Sequence, residues 1–178
     1  MATLQKLSER LDRVSEYTGR TIAWLTIAMV LVTFTIVILR YLFNTGWIAM
    51  QESVTYMHAL VFMLGAAYTL KHDGHVRVDI FYQRLGPRGR AFIDLAGTLF
   101  LLLPVCSFIL WVSWEYVAVA WQLKEGSPEA GGLPGVFLLK SAIPLMAGLM
   151  ILQGISAALR AWLVIVGAAT ATQDEVAP

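Results

Sequence analysis

The stretch TIAWLTIAMVLVTFTIVIL, residues 21–39, contains nineteen consecutive residues without a charged side chain. At a rise of about 1.5 Å per residue, a helix of this length matches the ~30 Å hydrocarbon core of a bilayer. A signal peptide has a shorter apolar region of about 7–15 residues and ends in a small-residue cleavage site. Here RYLFN follows instead. The stretch therefore predicts a transmembrane helix and not a cleaved signal peptide.

Three further apolar runs have comparable length, at residues 53–70, 92–114 and 141–162. The whole chain is 58% hydrophobic and only 14% charged, which leaves too little polar surface for a water-soluble domain of 178 residues. Because backbone groups inside a bilayer must be hydrogen-bonded within the protein, such runs form helices. We expect a single all-α integral membrane domain over residues 1–178 with four transmembrane helices.

The distribution of Lys and Arg predicts the orientation of these helices. Ten of the thirteen lie in the N-terminal tail, in the connection 71–90 or, as Arg160, at the end of the fourth run, and three lie in the other two connections. Basic residues are enriched on the cytoplasmic side of inner-membrane proteins. The count predicts that both termini and the connection 71–90 are cytoplasmic, and that the connection 115–140 is periplasmic.

Two segments outside the apolar runs have recognisable patterns. Residues 4–17 carry Leu4, Leu7, Leu11 and Val14 at helical spacing among charged residues, which predicts an amphipathic helix on the cytoplasmic membrane surface. A short coiled-coil seam with a partner is the alternative. In the connection 115–140, the Gly- and Pro-rich stretch GSPEAGGLPG predicts a folded-back loop.

The residue types that could carry chemistry are few. Cys106 is the only cysteine, so no disulfide can form within the chain. Of the three histidines only His58 lies within an apolar run, which is poor geometry for bis-histidine haem ligation. His72, His75 and Asp79 could be drawn as a metal site, but a polar contact between His75 and Asp79 that braces the turn is the simpler interpretation. Hydrolase motifs are missing as well, and we expect no enzyme activity, cofactor, metal site or nucleic-acid partner.

Polar residues within the apolar runs are more informative, because each is costly at membrane depth. Gln153 lies in the fourth run and is expected to bond to a neighbouring helix or chain. Gly65 is followed by two alanines in the second run and marks close helix packing. No charged residue lies at mid-depth of a run, so the chain is not expected to move a solute by itself.

Several stretches taken together resemble one family. RYLFN ends the first run, Trp47 and Glu52 lead into the second, and GAAYTLKHDGHVRVDIFYQRLGPRGR, residues 65–90, follows. This ordered set is similar to the small membrane subunit of tripartite ATP-independent periplasmic (TRAP) transporters, the DctQ-like family. The resemblance covers residues 40–153 and, in layout, the whole chain.

The resemblance implies a three-part system in the bacterial inner membrane. A periplasmic solute-binding protein delivers an organic acid or a similar small solute to a large subunit, which takes it up by an elevator motion with a cation, typically Na⁺. The small subunit stabilises the scaffold of the large one, which we expect to be a separate chain, and membrane lipids surround both. No catalytic or substrate-binding residue is implied. The residues expected at helix ends and subunit contacts are Arg40, Tyr41, Asn44, Trp47, Glu52, Gly65, His75, Val78, Asp79 and Gln153.

Two other classes of function remain open at this point. A haem-binding membrane anchor of an electron-transfer enzyme would use His58 and would show a Soret band. A self-contained four-helix channel or exporter would transport solute in vesicles without a partner.

Overall fold

The computed structural model describes residues 2–76 and 79–167, which form helices joined by turns and one longer loop. The helices are α1 (Ala2–Phe43), α2 (Ile48–Lys71), α3 (Asp79–Tyr82), α4 (Pro87–Gly97), α5 (Leu103–Leu123), α6 (Val136–Lys140) and α7 (Ala142–Ile165), and a π-helical segment (Thr98–Leu102) joins α4 to α5. These described residues contain no strand, and four helical stretches are long and apolar enough to cross a membrane. The predicted all-helical class with four spans is confirmed, and the sidedness of the termini stays a prediction.

Helix α1 differs from the expectation for the N-terminal segment. Residues 4–17 are not a separate surface helix, because they continue without a break into the apolar run that starts at residue 21. The glycine between the two parts, Gly19, lies directly against the ring of Tyr68, where a side chain would collide. Extending an existing helix costs little free energy, so the N-terminal segment continues the first span as one helix about 63 Å long. The close contact at Gly19 packs this helix against α2.

One polar stripe of this segment is buried, which differs from the expectation for a surface helix. Its serines Ser8 and Ser15 are buried against the rest of the molecule, whereas Leu7 and Val14 are 44% and 42% exposed. A polar stripe can be buried when groups across the interface satisfy its hydrogen bonds. Helix α7 supplies those groups, so the polar face is the packing face.

The third span is longer than its apolar run. Helix α4, the π-helical segment and α5 form one continuous stretch, Pro87–Leu123, instead of the predicted 92–114. The π-helical segment ends just before Pro104, whose ring and missing N–H disfavour a regular turn at this point. Helix α5 therefore extends into the predicted loop 115–140, and α6 also lies inside that predicted loop.

Helix α7 is the centre of the fold, since it packs against α1, α2, α4, α5 and the π-helical segment. It begins and ends close to the predicted bounds of the fourth run, 141–162. Its buried residues are mostly small: Ala142, Ala147, Gly154, Ser156 and Ala161, together with Gln153 and Leu163. Small residues let helix backbones approach closely in a membrane, where burial of apolar surface by itself does not drive association.

Candidate functional site

Glu52, one of the predicted site residues, fixes the loop between α5 and α6. It lies in the second turn of α2, and its carboxylate accepts a hydrogen bond from the Ser127 hydroxyl. The other carboxylate oxygen accepts from the backbone N–H of Leu133 at 2.7 Å. The N–H of Ser127 donates in turn to the carbonyl of Leu133 at 2.9 Å. The loop therefore closes on itself around one carboxylate from another helix.

A glycine is needed where the loop passes this carboxylate. A Cβ atom at Gly132 would lie 2.8 Å from Glu52 Oε2 and would collide with the Ser127 side chain. Only a residue without a side chain lets the backbone come this close. The Gly- and Pro-rich stretch is thus a folded-back loop with a defined anchor, as its composition predicts.

A second set of contacts holds the two ends of the loop. Lys140 Nζ is 2.6 Å from Glu125 Oε2 and lies 4.1 Å from the centre of the Tyr116 ring. The indole N–H of Trp121 donates to the Ser141 hydroxyl at 2.8 Å. These contacts join α5, α6 and the start of α7 at the end of the molecule where α2 begins.

At the opposite end of α2, Glu16 joins α1 to α2. Its carboxylate lies 2.5 Å from Lys71 Nζ, 2.8 Å from His72 Nε2 and 2.6 Å from Arg20 Nε. Lys71 and Glu16 are both largely shielded from solvent, with about one fifth of each side chain exposed (21% and 20%). One carboxylate from α1 thus pairs with both residues at the C-terminal end of α2, and a cation at that end is favourable for the helix dipole.

Gln153 connects α7 to the first turns of α1. It is completely buried, accepts a hydrogen bond from the Ser15 hydroxyl at 2.6 Å, and donates from its amide nitrogen to Asp12 Oδ1 at 3.0 Å. Asp12 also accepts from the Ser156 hydroxyl at 2.6 Å and forms an ion pair with Arg160. The expected bond from Gln153 to a neighbouring helix exists, and every member of this network lies in the same chain.

Four further predicted residues lie at the turn between α1 and α2. Asn44 has a positive φ of 49° and ends α1 in the left-handed conformation that asparagine tolerates. Trp47 precedes the first residue of α2 and is 60% exposed. Arg40 and Tyr41 are exposed as well. Within the part of the chain that the structure describes, none of the four side chains forms a hydrogen bond. The turn is held through Thr45, whose N–H donates to the Leu39 carbonyl at 3.0 Å and whose hydroxyl donates to the Phe43 carbonyl at 3.2 Å.

The remaining predicted residues lie around the connection 71–90 and in α2. His75 is exposed in the bend after α2. Val78 lies outside the described residues, and Asp79 opens α3 while its side chain is not described, so the predicted contact between His75 and Asp79 stays a prediction. Gly65 has open space beside its Cα atom on the surface of α2.

Sequence reasoning missed the polar partners of these residues: Asp12, Ser15, Glu16, Ser127 and Arg160. One local signal was available, since Ser8, Asp12 and Ser15 recur at spacings of four and three on one helical face. That face was interpreted as the solvent side of a surface helix. The serine that meets Glu52 had no local signal, because 75 positions separate the two residues.

The arrangement of histidines does not support the haem alternative. His72 is held by Glu16, and His58 lies on the exposed outer face of α2. Among the described residues, no group of three or more His, Cys, Asp or Glu side chains is placed to hold a metal ion.

These features define a class: a four-span helical membrane protein whose polar residues hold its own helices and loop together. The family model described as "Tripartite ATP-independent periplasmic transporters, DctQ component" matches residues 29–164, about three quarters of the chain. The chain belongs to this family of transporter permease subunits, and it is a multi-pass membrane protein and not an enzyme. The resemblance inferred from the sequence motifs is confirmed.

Two relatives illustrate the similarity. A TRAP transporter small permease protein of Haemophilus influenzae is 28% identical over 123 residues, which cover 69% of this chain and 73% of the relative. A C4-dicarboxylate TRAP transporter small permease protein of Vibrio cholerae is 32% identical over 110 residues, 59% of this chain and 47% of that protein. The aligned part is therefore about half the length of the second relative. No solved structure matches the chain.

Proposed function

We propose that this chain is the scaffold subunit of a tripartite uptake system in the bacterial inner membrane, with both termini in the cytoplasm. It stabilises a separate, large, elevator-type membrane subunit. That subunit takes up an organic acid or a similar small solute with Na⁺, after delivery by a periplasmic binding protein. The observation that carries the proposal is the family match over residues 29–164. The C4-dicarboxylate named for the Vibrio cholerae relative favours an organic acid as the solute class.

The internal pairing of polar groups supports a static role. Asp12 of α1 bonds to both Gln153 and Arg160 of α7, and these contacts join the two helices. Buried polar networks that are fully satisfied make a structure more rigid. A rigid four-span unit is suited to holding a neighbour in place while that neighbour moves.

The first test is affinity purification of the tagged chain from its native membrane in mild detergent, with mass spectrometry of the co-eluting proteins. A large polytopic subunit in near one-to-one amount is the expected result. Recovery of the chain alone, or with a soluble redox enzyme, would contradict the proposal. Uptake into vesicles should require the large subunit and the binding protein and should depend on a Na⁺ gradient.

The orientation is tested by labelling single cysteines in a Cys106→Ser background with a membrane-impermeant maleimide. The Glu129→Cys variant in the loop between α5 and α6 should react in intact spheroplasts. The Thr3→Cys variant in the first turn of α1 should react only after the membrane is permeabilised. Labelling in the reverse order would overturn the assignment of both termini to the cytoplasm.

A further inference from the structure

One face of α2 carries three polar residues, a phenylalanine and a glycine at spacings of four, three, four and three. Positions with this spacing lie above one another on one side of a helix. The face, called here the α2 outer face, consists of Gln51, Thr55, His58, Phe62 and Gly65. Helix α2 packs on α1 and α7 with its other sides, so the α2 outer face is left uncovered by this chain.

Four of the five residues of the α2 outer face are exposed, and Gly65 is half-buried. Gln51, Thr55 and His58 are all exposed, and Phe62 is 75% exposed. Within residues 2–76 and 79–167, neither the His58 imidazole nor the Thr55 hydroxyl has a hydrogen-bond partner. Next to Phe62 on the same face, Gly65 leaves open space in which another helix backbone could approach.

His58 lies inside the predicted membrane span 53–70. It is five residues from the nearer end of that span, about 7.5 Å along the helix axis. The hydrocarbon core is ~30 Å thick, and an imidazole is much shorter than the Lys and Arg side chains that extend to the interface. Polar side chains at this depth face other protein or a water-filled cavity, because lipid tails offer no hydrogen bonds.

The other exposed faces differ in this respect. Thr33 and Thr35 on α1 are exposed, but their hydroxyls donate to the carbonyls of Met29 and Leu31 at 2.7 and 2.8 Å. Their helix therefore presents an apolar surface suited to lipid, with residues such as Trp24 and Phe34.

The exposed charge on α5 also has a different setting. Glu115 lines a groove together with Lys140, Tyr116 and Glu125. This groove lies at the end of the bundle where the α5–α6 loop is anchored, so its charges can meet water and headgroups. The α2 outer face combines a position within a membrane span with two neighbouring polar side chains, Thr55 and His58, that have no partner in the described chain.

We propose that the α2 outer face is covered by a transmembrane helix of the large subunit, which bonds to His58 and receives Phe62 as an apolar anchor beside Gly65. The proposal rests on the function proposed above. The matching family is one component of a tripartite transporter, so a second membrane component is a better occupant than lipid or a second copy. Small residues and interhelical hydrogen bonds are the features that hold membrane helices together.

The test is photocrosslinking in native membranes that contain the complete transporter. Phe62 is replaced by benzoylphenylalanine, and Phe100, which is 77% exposed in the π-helical segment, is replaced in the same way as the matched control. We expect a product of the combined mass of this chain and the large subunit from position 62, in at least ten-fold higher yield than from position 100. A product with a second copy of this chain, or with lipid only, would overturn the proposal. Equal yields at the two positions would also overturn it.

A second pair of variants tests the polar contact. His58→Leu removes the hydrogen bond and should reduce the amount of large subunit retained after detergent extraction about three-fold. His58→Gln keeps a donor and an acceptor and should retain more of the large subunit than His58→Leu. Equal retention in both variants and the wild type would contradict a hydrogen bond at this position.

The outcomes separate this proposal from the function on which it rests. If the large subunit co-purifies with the wild-type chain but position 62 gives no product with it, only the assignment to the α2 outer face fails. If no second membrane chain co-purifies with the wild type, both fail.

Discussion

The carboxylate of Glu52 and the backbone N–H of Leu133 are 81 positions apart in the chain and 2.7 Å apart in space. Through this bond and the one to Ser127, the start of α2 determines the shape of a loop that belongs to the other half of the molecule. A residue that the sequence motifs place at a helix end is therefore a loop anchor.

Glu52→Ala should loosen this loop. The substitution leaves the Ser127 hydroxyl and the Leu133 N–H without their acceptor, and the Gly- and Pro-rich stretch has little regular structure of its own to replace it. Limited proteolysis in detergent should cut between residues 124 and 135 several-fold faster than in the wild type. Glu129→Gln is the matched control, because that side chain is exposed on the same loop and forms no hydrogen bond or ion pair within the described residues. Unchanged cleavage in Glu52→Ala would show that the carboxylate does not hold the loop.

Gln153→Leu should destabilise the junction between α1 and α7. The amide of Gln153 bonds to both Ser15 and Asp12 in a completely buried position. Leucine has a similar size but leaves those groups short of partners, at a cost of about 1–3 kcal/mol in the free energy of unfolding. Thermal unfolding in detergent, followed by intrinsic fluorescence, should show a melting temperature several degrees lower. Gln122→Leu, at an exposed position of α5, should change the melting temperature little, and an equal drop in both variants would contradict the role of the network.

Glu16→Lys should open the contact between α1 and the end of α2. In the wild type, Lys71 and Arg20 attract the Glu16 carboxylate. In the variant a lysine faces these two cations, and like charges at this distance repel. Hydrogen exchange of the amides at residues 68–76 should become faster. Adding Lys71→Glu to Glu16→Lys restores an opposite-charge pair and should recover part of the protection, whereas Glu9→Lys, at an exposed position of α1, should have no effect on these amides. Failure of the double variant to recover any protection would contradict direct pairing of Glu16 with Lys71.

Two glycines should respond to the same substitution with opposite signs. Gly19→Ala places a Cβ against the ring of Tyr68 and should lower the thermal stability. Gly97→Ala adds a methyl group at a helical position with open space around it, and alanine favours a helix over glycine by up to about 1 kcal/mol. Melting temperatures of the two variants should therefore lie on opposite sides of the wild-type value. A gain in Gly19→Ala would show that α1 does not approach α2 as closely as the structure indicates.

The number and helical nature of the spans could be read from the sequence because both depend on local chemistry. A run such as residues 21–39 must satisfy its backbone hydrogen bonds inside the bilayer, and only neighbours along the helix can do so. The helix ends were less accurate, since α5 continues well past the apolar run that predicted it. The helix continues past the charged Glu115, which bounded the predicted run, into the mostly apolar residues 116–123.

For each contact in the candidate site, the sequence predicted one residue and not its partner. Gln153 was recognised because polar groups are costly within apolar runs, and Glu52 was recognised from the ordered motifs. Their partners Ser127, Asp12 and Ser15 are ordinary polar residues far away in the chain. The direction of the N-terminal polar face was misjudged for the same reason. Either water or a second helix can form hydrogen bonds with a stripe of polar residues. The spacing of those residues along the sequence does not show which of the two it will be.

The sequence by itself determined the class of the protein, its four spans and its family, because length, hydropathy and ordered motifs are properties of neighbouring residues. Only the tertiary structure decided which polar groups meet: Glu52 with the distant loop, Glu16 with the end of α2, and Gln153 with the first turns of α1. It also decided that His58 lies on an outer face without a partner in the described chain. Such pairings depend on how whole helices pack, and packing is set by the shapes of all the contacting side chains at once.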